Sequence, residues 1–287
     1  MRFVFCLGLL LVGLCLSAQK HDYVWVMGHG NQFFDSIAGY GGSLLDFNYT
    51  PVKGSPRQRE LNMYTCNASV CDSAGNLLFY TNGCTIAGAD DVILENGDNL
   101  NPGPFHNLWC IQSEEGYNSG VQSALILPLP GNDKVYYLFH QQFRMVTTPS
   151  LFGYTDKLLY SVVDFSSSKH GVVTQKNIPV VEDTLTSGEL VAVKHANGRD
   201  WWLVSSRQFG NHFFINKFTE NGIVDTIEQI VGSPLNRPQY YGLGQMVFSP
   251  DGRKIYRVNQ FNPVLVYDFD RETGMIRACL KLYSLLI

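Results

Sequence analysis

The sequence predicts an all-β chain built from repeated antiparallel hairpins, and three observations carry that prediction. One turn-plus-strand pattern occurs four times. A second pattern, an apolar strand ending in a Phe flanked by polar or charged residues, interleaves with the first. No stretch shows a sustained 3.6-residue apolar period, while 27 glycines, 15 Tyr and 18 Phe among 287 residues suit strands joined by many turns.

The chain opens with a strand over Asp22–Met27, a turn at Gly39–Gly42, a second strand over Ser43–Asn48 and a polar loop from Pro51 to Arg59. The first repeat follows. Its clearest copy is Asn197-Gly198-Arg199-Asp200 leading into Trp201, Trp202, Leu203 and Val204, with apolar Val191, Ala192 and Val193 before it. Asn-Gly between two β-favouring runs predicts a two-residue hairpin turn of type I′. Sister copies run from Ser73-Ala74-Gly75 into Asn76–Asn82, from Pro130-Gly131-Asn132-Asp133 into Lys134–His140, and from Ser249-Pro250-Asp251-Gly252 into Lys254–Gln260. The second repeat ends strands at Phe47, Phe165, Phe218 and Phe269. After the last three, a glycine (Gly171, Gly222 or Gly274) opens a further strand. Two hairpins per unit of roughly 55–65 residues is the layout of a β-propeller with four-stranded antiparallel blades.

The phase of the repeat predicts about four blades plus a half blade. The chain begins on what read as outer strands, and residues 277–287 are too few to return an inner hairpin to them. That segment lacks turn residues and reads as atypical for the domain. The expectation is an open or incomplete ring, or a piece of a longer protein.

Residues 1–18 read as a secretory signal: Arg2, a short apolar run from Phe3 to Leu16, then Ser17-Ala18. Residues 19–287 read as one propeller domain with no later membrane span. The formal net charge of -4 gives no case for a nucleic-acid surface. Cys6 and Cys15 belong to the signal, and Cys279 stands apart. Cys66, Cys71, Cys84 and Cys110 lack zinc-type spacing, so in an exported chain they read as disulfide candidates with three connectivities. A hairpin register centred on Gly75 would place Cys66 opposite Cys84 and leave Cys71 for Cys110. A Cys84–Cys110 bridge would instead close the long loop 85–109, which shows few apolar anchors.

The run Cys71–Cys84, then Glu95–Asp98 and Leu100–Gly103, Tyr136–His140, Val193–Trp202 and Phe248–Gly252 resembles the N-terminal YVTN or WD40-like propeller region of exported Bacteroidetes proteins. Those proteins usually end in a type IX secretion sorting domain or a gliding-motility-associated domain, which this sequence lacks. The resemblance favours the Cys84–Cys110 pairing and brings no catalytic residues. It implies a secreted or cell-surface location, or a periplasmic one if the sorting domain is truly missing.

Several groups could carry chemistry. Asp90, Asp91, Glu95, Asn96, Asp98, Asn99 and Asn101 could offer oxygens to Ca²⁺, but the ligand order of an EF-hand loop is missing, and a hydrogen-bonded Asx-rich loop is the simpler reading. No other cofactor is expected. His140, His195 and His212 could line an axis as acid–base groups, yet nothing pairs them with a nucleophile or a metal motif. Trp201, Trp202, Tyr136 and Tyr137 could stack a sugar, but blade packing explains them better. Ser249 reads as a turn-stabilising side chain because G-x-S-x-G is absent. The function expected is a non-enzymatic binding or adhesion module for a protein or glycan, working through the loops at 84–122 and 141–157. The alternatives are a propeller hydrolase or lyase with an axial site, or a fragment with no function alone.

Overall fold

The structure is a computed structural model that describes residues 20–28, 41–57, 59, 61–63, 65–114, 116–146, 152–208, 210–234, 244–259 and 262–282. It is all-β and propeller-like: five antiparallel sheets follow one another, each with its strands in chain order. Sheet 1 holds β1 (Val24–Met27), β2 (Ser43–Asp46) and β3 (Lys53–Pro56). Sheet 2 holds β4 (Ala68–Cys71), β5 (Leu77–Thr81) and β6 (Ile86–Gly88). Sheet 3 is β7 (Ala124–Leu129), β8 (Asn132–Val146), β9 (Phe152–Asp164) and β10 (Val172–Leu185). Sheet 4 is β11 (Val191–Lys194), β12 (Trp201–Ser206), β13 (His212–Thr219) and β14 (Gly222–Ile230). Sheet 5 is β15 (Gly244–Phe248), β16 (Lys254–Asn259), β17 (Asn262–Phe269) and β18 (Ile276–Leu282). Between sheets 2 and 3 a helical turn, α1 (Pro104–His106), widens into a π-helical turn (Asn107–Gln112).

Neighbouring sheets pack face to face, and the alternation of side chains along each strand supplies both faces. Val26 of sheet 1 meets Tyr80 and Ala87 of sheet 2. Val70, Phe79 and Ile86 meet Tyr136, Leu138 and Val163 of sheet 3. Phe139 and Leu158 meet Leu203, Phe214 and Phe218 of sheet 4. Trp202, Phe213 and Ile215 meet Met246, Ile255 and Tyr267 of sheet 5. Each such side chain, fully removed from water, contributes roughly 1.5–3 kcal/mol. Trp202 also donates its indole N–H to the Arg271 carbonyl at 2.8 Å. Gly274, with φ 74°, lets the backbone pass that ring, since a Cβ there would lie 2.8 Å from Trp202.

Several expectations change. The polar loop 51–59 contains a strand, β3, so the opening unit has three strands rather than two, and five sheets replace four and a half. Residues 276–282 complete sheet 5 as its fourth strand, so the atypical C-terminal segment is strand as far as Leu282; residues 283–287, like the expected signal at 1–18, lie outside the described residues. Most of 141–157 is strand, because β8 and β9 extend past the end of β7 as a long arm; residues 147–151 lie outside the described residues.

The turn at Asn197 is not the two-residue form. Lys194 pairs with Trp201, so the connection is longer. Gly198 alone takes positive φ, at 73°. The Asn197 carboxamide oxygen accepts the N–H groups of Arg199 and Asp200, both at 3.0 Å. An Asx-type bond has replaced the left-handed Asn that a type I′ turn needs. Asp72 does the same at the first copy, accepting from Ala74 and Asn76 at 2.9 Å.

Candidate functional site

The inner strands β4, β7, β11 and β15 present mostly Ala, Val, Leu and Ser. Between two of them the Gln122 carboxamide bridges to β15: its nitrogen donates to the Met246 carbonyl at 3.0 Å, and its oxygen accepts the Met246 N–H at 2.9 Å. Both ends of the amide are thereby committed, and sheets 3 and 5 are tied across the inner strands.

At the end of the inner strands away from the hairpin turns lies a buried polar layer. Glu189, just ahead of β11, and Arg257 of β16 form an ion pair at 2.7 Å, both almost fully excluded from water. The Ser206 hydroxyl donates to Glu189 at 2.8 Å, and Arg257 donates to the Gly210 carbonyl at 2.7 Å. Glu189 Oε1 has no partner among the described residues. Nearby in the fold, His140 is fully buried on β8. Its Nδ1 lies 2.7 Å from the Asn101 carboxamide oxygen and its Nε2 3.0 Å from the Ser161 hydroxyl. Burial pushes its pKa down to about 3, so the ring is neutral.

The other candidates are held separately. His195 accepts the Asn197 N–H at 3.0 Å and packs on Trp202. His212 meets Glu228 at 3.0 Å. The three histidines therefore serve three different local networks. Trp202 and Tyr136 are core, while Trp201 and Tyr137 pack on the opposite faces of their strands between sheets 3 and 4. Ser249 donates to Asp251 at 2.6 Å and accepts the Lys254 N–H at 2.9 Å, which ties the turn to its strand.

The loop from Cys84 onward is wound onto sheet 3. Contrary to the expectation of few apolar anchors in 85–109, Leu94, Leu100 and Phe105 are buried, as is Tyr117 just beyond. Phe105 and Tyr117 pack with Phe143 of the long arm around the Cys84–Cys110 disulfide, whose Cα atoms are 5.7 Å apart. Cys66 and Cys71 are buried and unbridged. The register places Cys66 in the same cluster as Cys84, as the rival pairing required. Cys71, however, closes the far end of β4, roughly five residues or ~16 Å of extended strand away. Burial raises both thiols, Cys71 to about 11, so neither is a ready thiolate. The side chain of Cys279 lies outside the described ones.

The acidic and amide residues of this loop split three ways. Asp91 accepts from Tyr80 and Arg57, and Asp90 faces His170. Asn96 and Asp98 surround the Lys176 ammonium with two carbonyl and two side-chain oxygens at 2.9–3.1 Å. Asn99 and Asn101 bond Asn177, and Asn101 also bonds His140. Asp91, Asn96, Asn99 and Asn101 all take left-handed backbone. A Ca²⁺ entering between Asn96 and Asp98 would have to displace the ammonium. Lys176, Gln122 and the Glu189–Arg257 pair carried no signal in the sequence, because each partner comes from a different sheet or a distant loop.

The open concavity is at the turn end of the inner strands. A cleft of about 630 Å³ is lined by His21, Pro128–Asp133, Lys194, Gly198 and Arg199. The second and third repeat turns, those of sheets 3 and 4, form its walls. Lys194 stands 3.8 Å over the Trp201 ring and donates to the Arg199 carbonyl at 2.9 Å. Burial lowers its pKa, against the pull of Asp200. Arg199 is anchored by Asp200 at 3.0 Å, and His21 by the Cys71 carbonyl at 2.7 Å. The cleft thus gathers Lys194, Arg199 and His21 with Asp133 on its lining, and Arg199 is also paired at the rim with Glu220 at 3.3 Å.

No family model and no curated protein matches the chain. Among solved structures, a candidate 6-phosphogluconolactonase from Bacteroides uniformis aligns at 11% identity over 92% of this chain and 84% of its own, with a TM-score of 0.37. A second from Bacteroides fragilis aligns at 15% over 91% and 83%, with a TM-score of 0.35. Likenesses of that strength say nothing of what this chain binds or turns over.

Proposed function

We propose that the chain is an exported binding module that takes an acidic ligand, of the uronic-acid oligosaccharide class, in the cleft between the turns of sheets 3 and 4. One observation carries this reading. The ionisable groups at the far end of the inner strands are matched to one another, His140 to Asn101 and Ser161 and Glu189 to Arg257, whereas Lys194 and His21, bonded to backbone carbonyls, stand at an open cleft with Arg199, paired to Asp200 and Glu220, at its rim. Groups matched inside the fold hold the sheets together; groups displayed on rigid turns recognise. Ring hydroxyls would meet the turn backbone, and a carboxylate would meet the cations.

The test is calorimetric titration of the mature chain with uronic-acid and neutral oligosaccharides. Binding of the acidic class, weakened about tenfold by Lys194→Ala, supports the reading; each lost charged contact of ~1.5 kcal/mol corresponds to that factor. Equal binding of neutral sugars, or none at all, removes it. A hydrolase is the second reading, and the unpartnered Glu189 Oε1 is what favours it. Turnover of lactones or esters that disappears in Glu189→Gln at a temperature where circular dichroism shows the variant still folded would establish it instead.

A further inference from the structure

Four times within the chain, one sheet lays its forward face on the rear face of the next. The two end sheets each leave one face over. In sheet 5, the buried side is Met246, Arg257 and Leu265, which pair across the strands. The opposite side carries Val247, Tyr256, Val266 and Leu280 in one cross-strand row, with Val258, Val264 and Leu282 beside it. Val247 is 51%, Val258 43%, Leu280 62% and Leu282 53% exposed, while Val266 between them is buried at 7%, so the exposed apolar surface lies on the two sides of the central strand. In sheet 1, Val24 and Val26 are buried toward sheet 2. Trp25, 47% exposed, points to the other side in register with Leu45, and Phe47 packs on its ring at 4.9 Å.

An apolar sheet face of this kind marks a contact surface. The two left-over faces are not of one kind. Sheet 5 lacks what the next sheet would bring, and sheet 1 lacks what the previous sheet would bring. They are the complementary pair of faces, forward and rear, that the chain already packs at four internal junctions. We infer that the forward face of sheet 5 in one copy docks on the rear face of sheet 1 in a second copy. The contact is heterologous: the two surfaces differ, and each copy keeps one of each free. Assembly therefore propagates head to tail, into a short filament or a closed ring, instead of stopping at a symmetric dimer. Trp25 and Phe47 would fill the apolar surface between Val247, Val258 and Leu280, and water would leave both faces.

The experiment is sedimentation velocity on the mature chain over a wide concentration range, with Trp25→Glu and Val258→Glu made singly. Both positions are solvent-facing, so the variants keep the fold, and far-UV circular dichroism with thermal melting verifies it; Leu280→Glu is the second choice for sheet 5 if Val258→Glu melts early. The expected result is that the wild-type mass grows with concentration beyond two chains. Each variant alone runs as a single chain. An equimolar mixture of Trp25→Glu with Val258→Glu gives complexes of two chains and no larger, because one good junction remains. A wild type that stays a single chain at every concentration overturns the inference and leaves the faces to other strands or another protein. A Trp25→Glu variant that still dimerises alone also overturns it, because sheet 5 would then be pairing with itself.

Discussion

At the scale of single residues, the polar interior decides how the molecule responds to acid and to truncation. His140 is held neutral by burial, with its pKa down to about 3 against an ordinary value of 6.5. Between those two values the unfolded chain binds a proton that the folded chain refuses, so stability falls as pH drops through the window. The neutral ring's contribution is fully present above pH 6.5 and gone near pH 3, at up to ~1.4 kcal/mol per pH unit. Thermal melts from pH 7 to pH 4 should therefore fall less steeply for His140→Gln than for the wild type; parallel lines would show that His140 is not the titrating group. Arg257→Ala leaves Glu189 buried without its cation and should cost ~3–5 kcal/mol in denaturant unfolding. Adding Glu189→Leu to it should recover part of that loss, and a simple sum of the two single effects would mean that they do not act as a pair. Neither effect was legible in the sequence. Glu189 and Arg257 lie in different sheets, and only the packing of sheet 5 on sheet 4 brings them together. His140, by contrast, was visible as a histidine of the second repeat strand, but its partners Asn101 and Ser161 were not, because they come from the loop after Cys84 and from β9.

At the scale of elements, the hairpins were legible and their turns were not. Asn197-Gly198 between β-favouring runs identified a connection between β11 and β12. The turn type failed because Asn197 uses its side chain to cap Arg199 and Asp200, a choice that local composition does not reveal. β3 was missed because Lys53-Gly54-Ser55-Pro56 has no apolar alternation; its pairing with β2 is backbone only in character, and three of its four residues are exposed. The loop after Cys84 looked poorly anchored because its anchors, Leu94, Leu100, Phe105 and Tyr117, are spaced without a period. Its disulfide closes a separation of 26 residues and should be worth ~3 kcal/mol through the unfolded chain. Cys110→Ser should lower the melting temperature accordingly. Non-reducing peptide mapping should recover Cys84 joined to Cys110; a peptide joining Cys66 to Cys84 would contradict the structure, and the two sulfurs share one apolar cluster, so the distinction is a demanding one.

At the scale of the whole molecule, the interleaved repeats announced a propeller-like stack of sheets, and five sheets in series are its outcome. What repetition could not show is how the ends and the cleft are left. The aromatic columns that made Trp201-Trp202 conspicuous are the packing between sheets. The groups that face the open cleft are the less conspicuous Lys194, Arg199 and His21, gathered only when the turns of sheets 3 and 4 stand side by side. The central claim is that this cleft binds an acidic ligand through Lys194 and Arg199. The most direct measurement is the affinity for a uronic-acid oligosaccharide at low and at high salt, for the wild type and for Lys194→Ala. A charge-led contact at a half-open cleft weakens as salt screens it, over a Debye length of about 10 Å at 0.1 M. The account expects wild-type binding that falls with salt, and a Lys194→Ala variant that is weaker by about tenfold at low salt and loses much of the salt dependence. Binding that is indifferent both to salt and to Lys194 would contradict it.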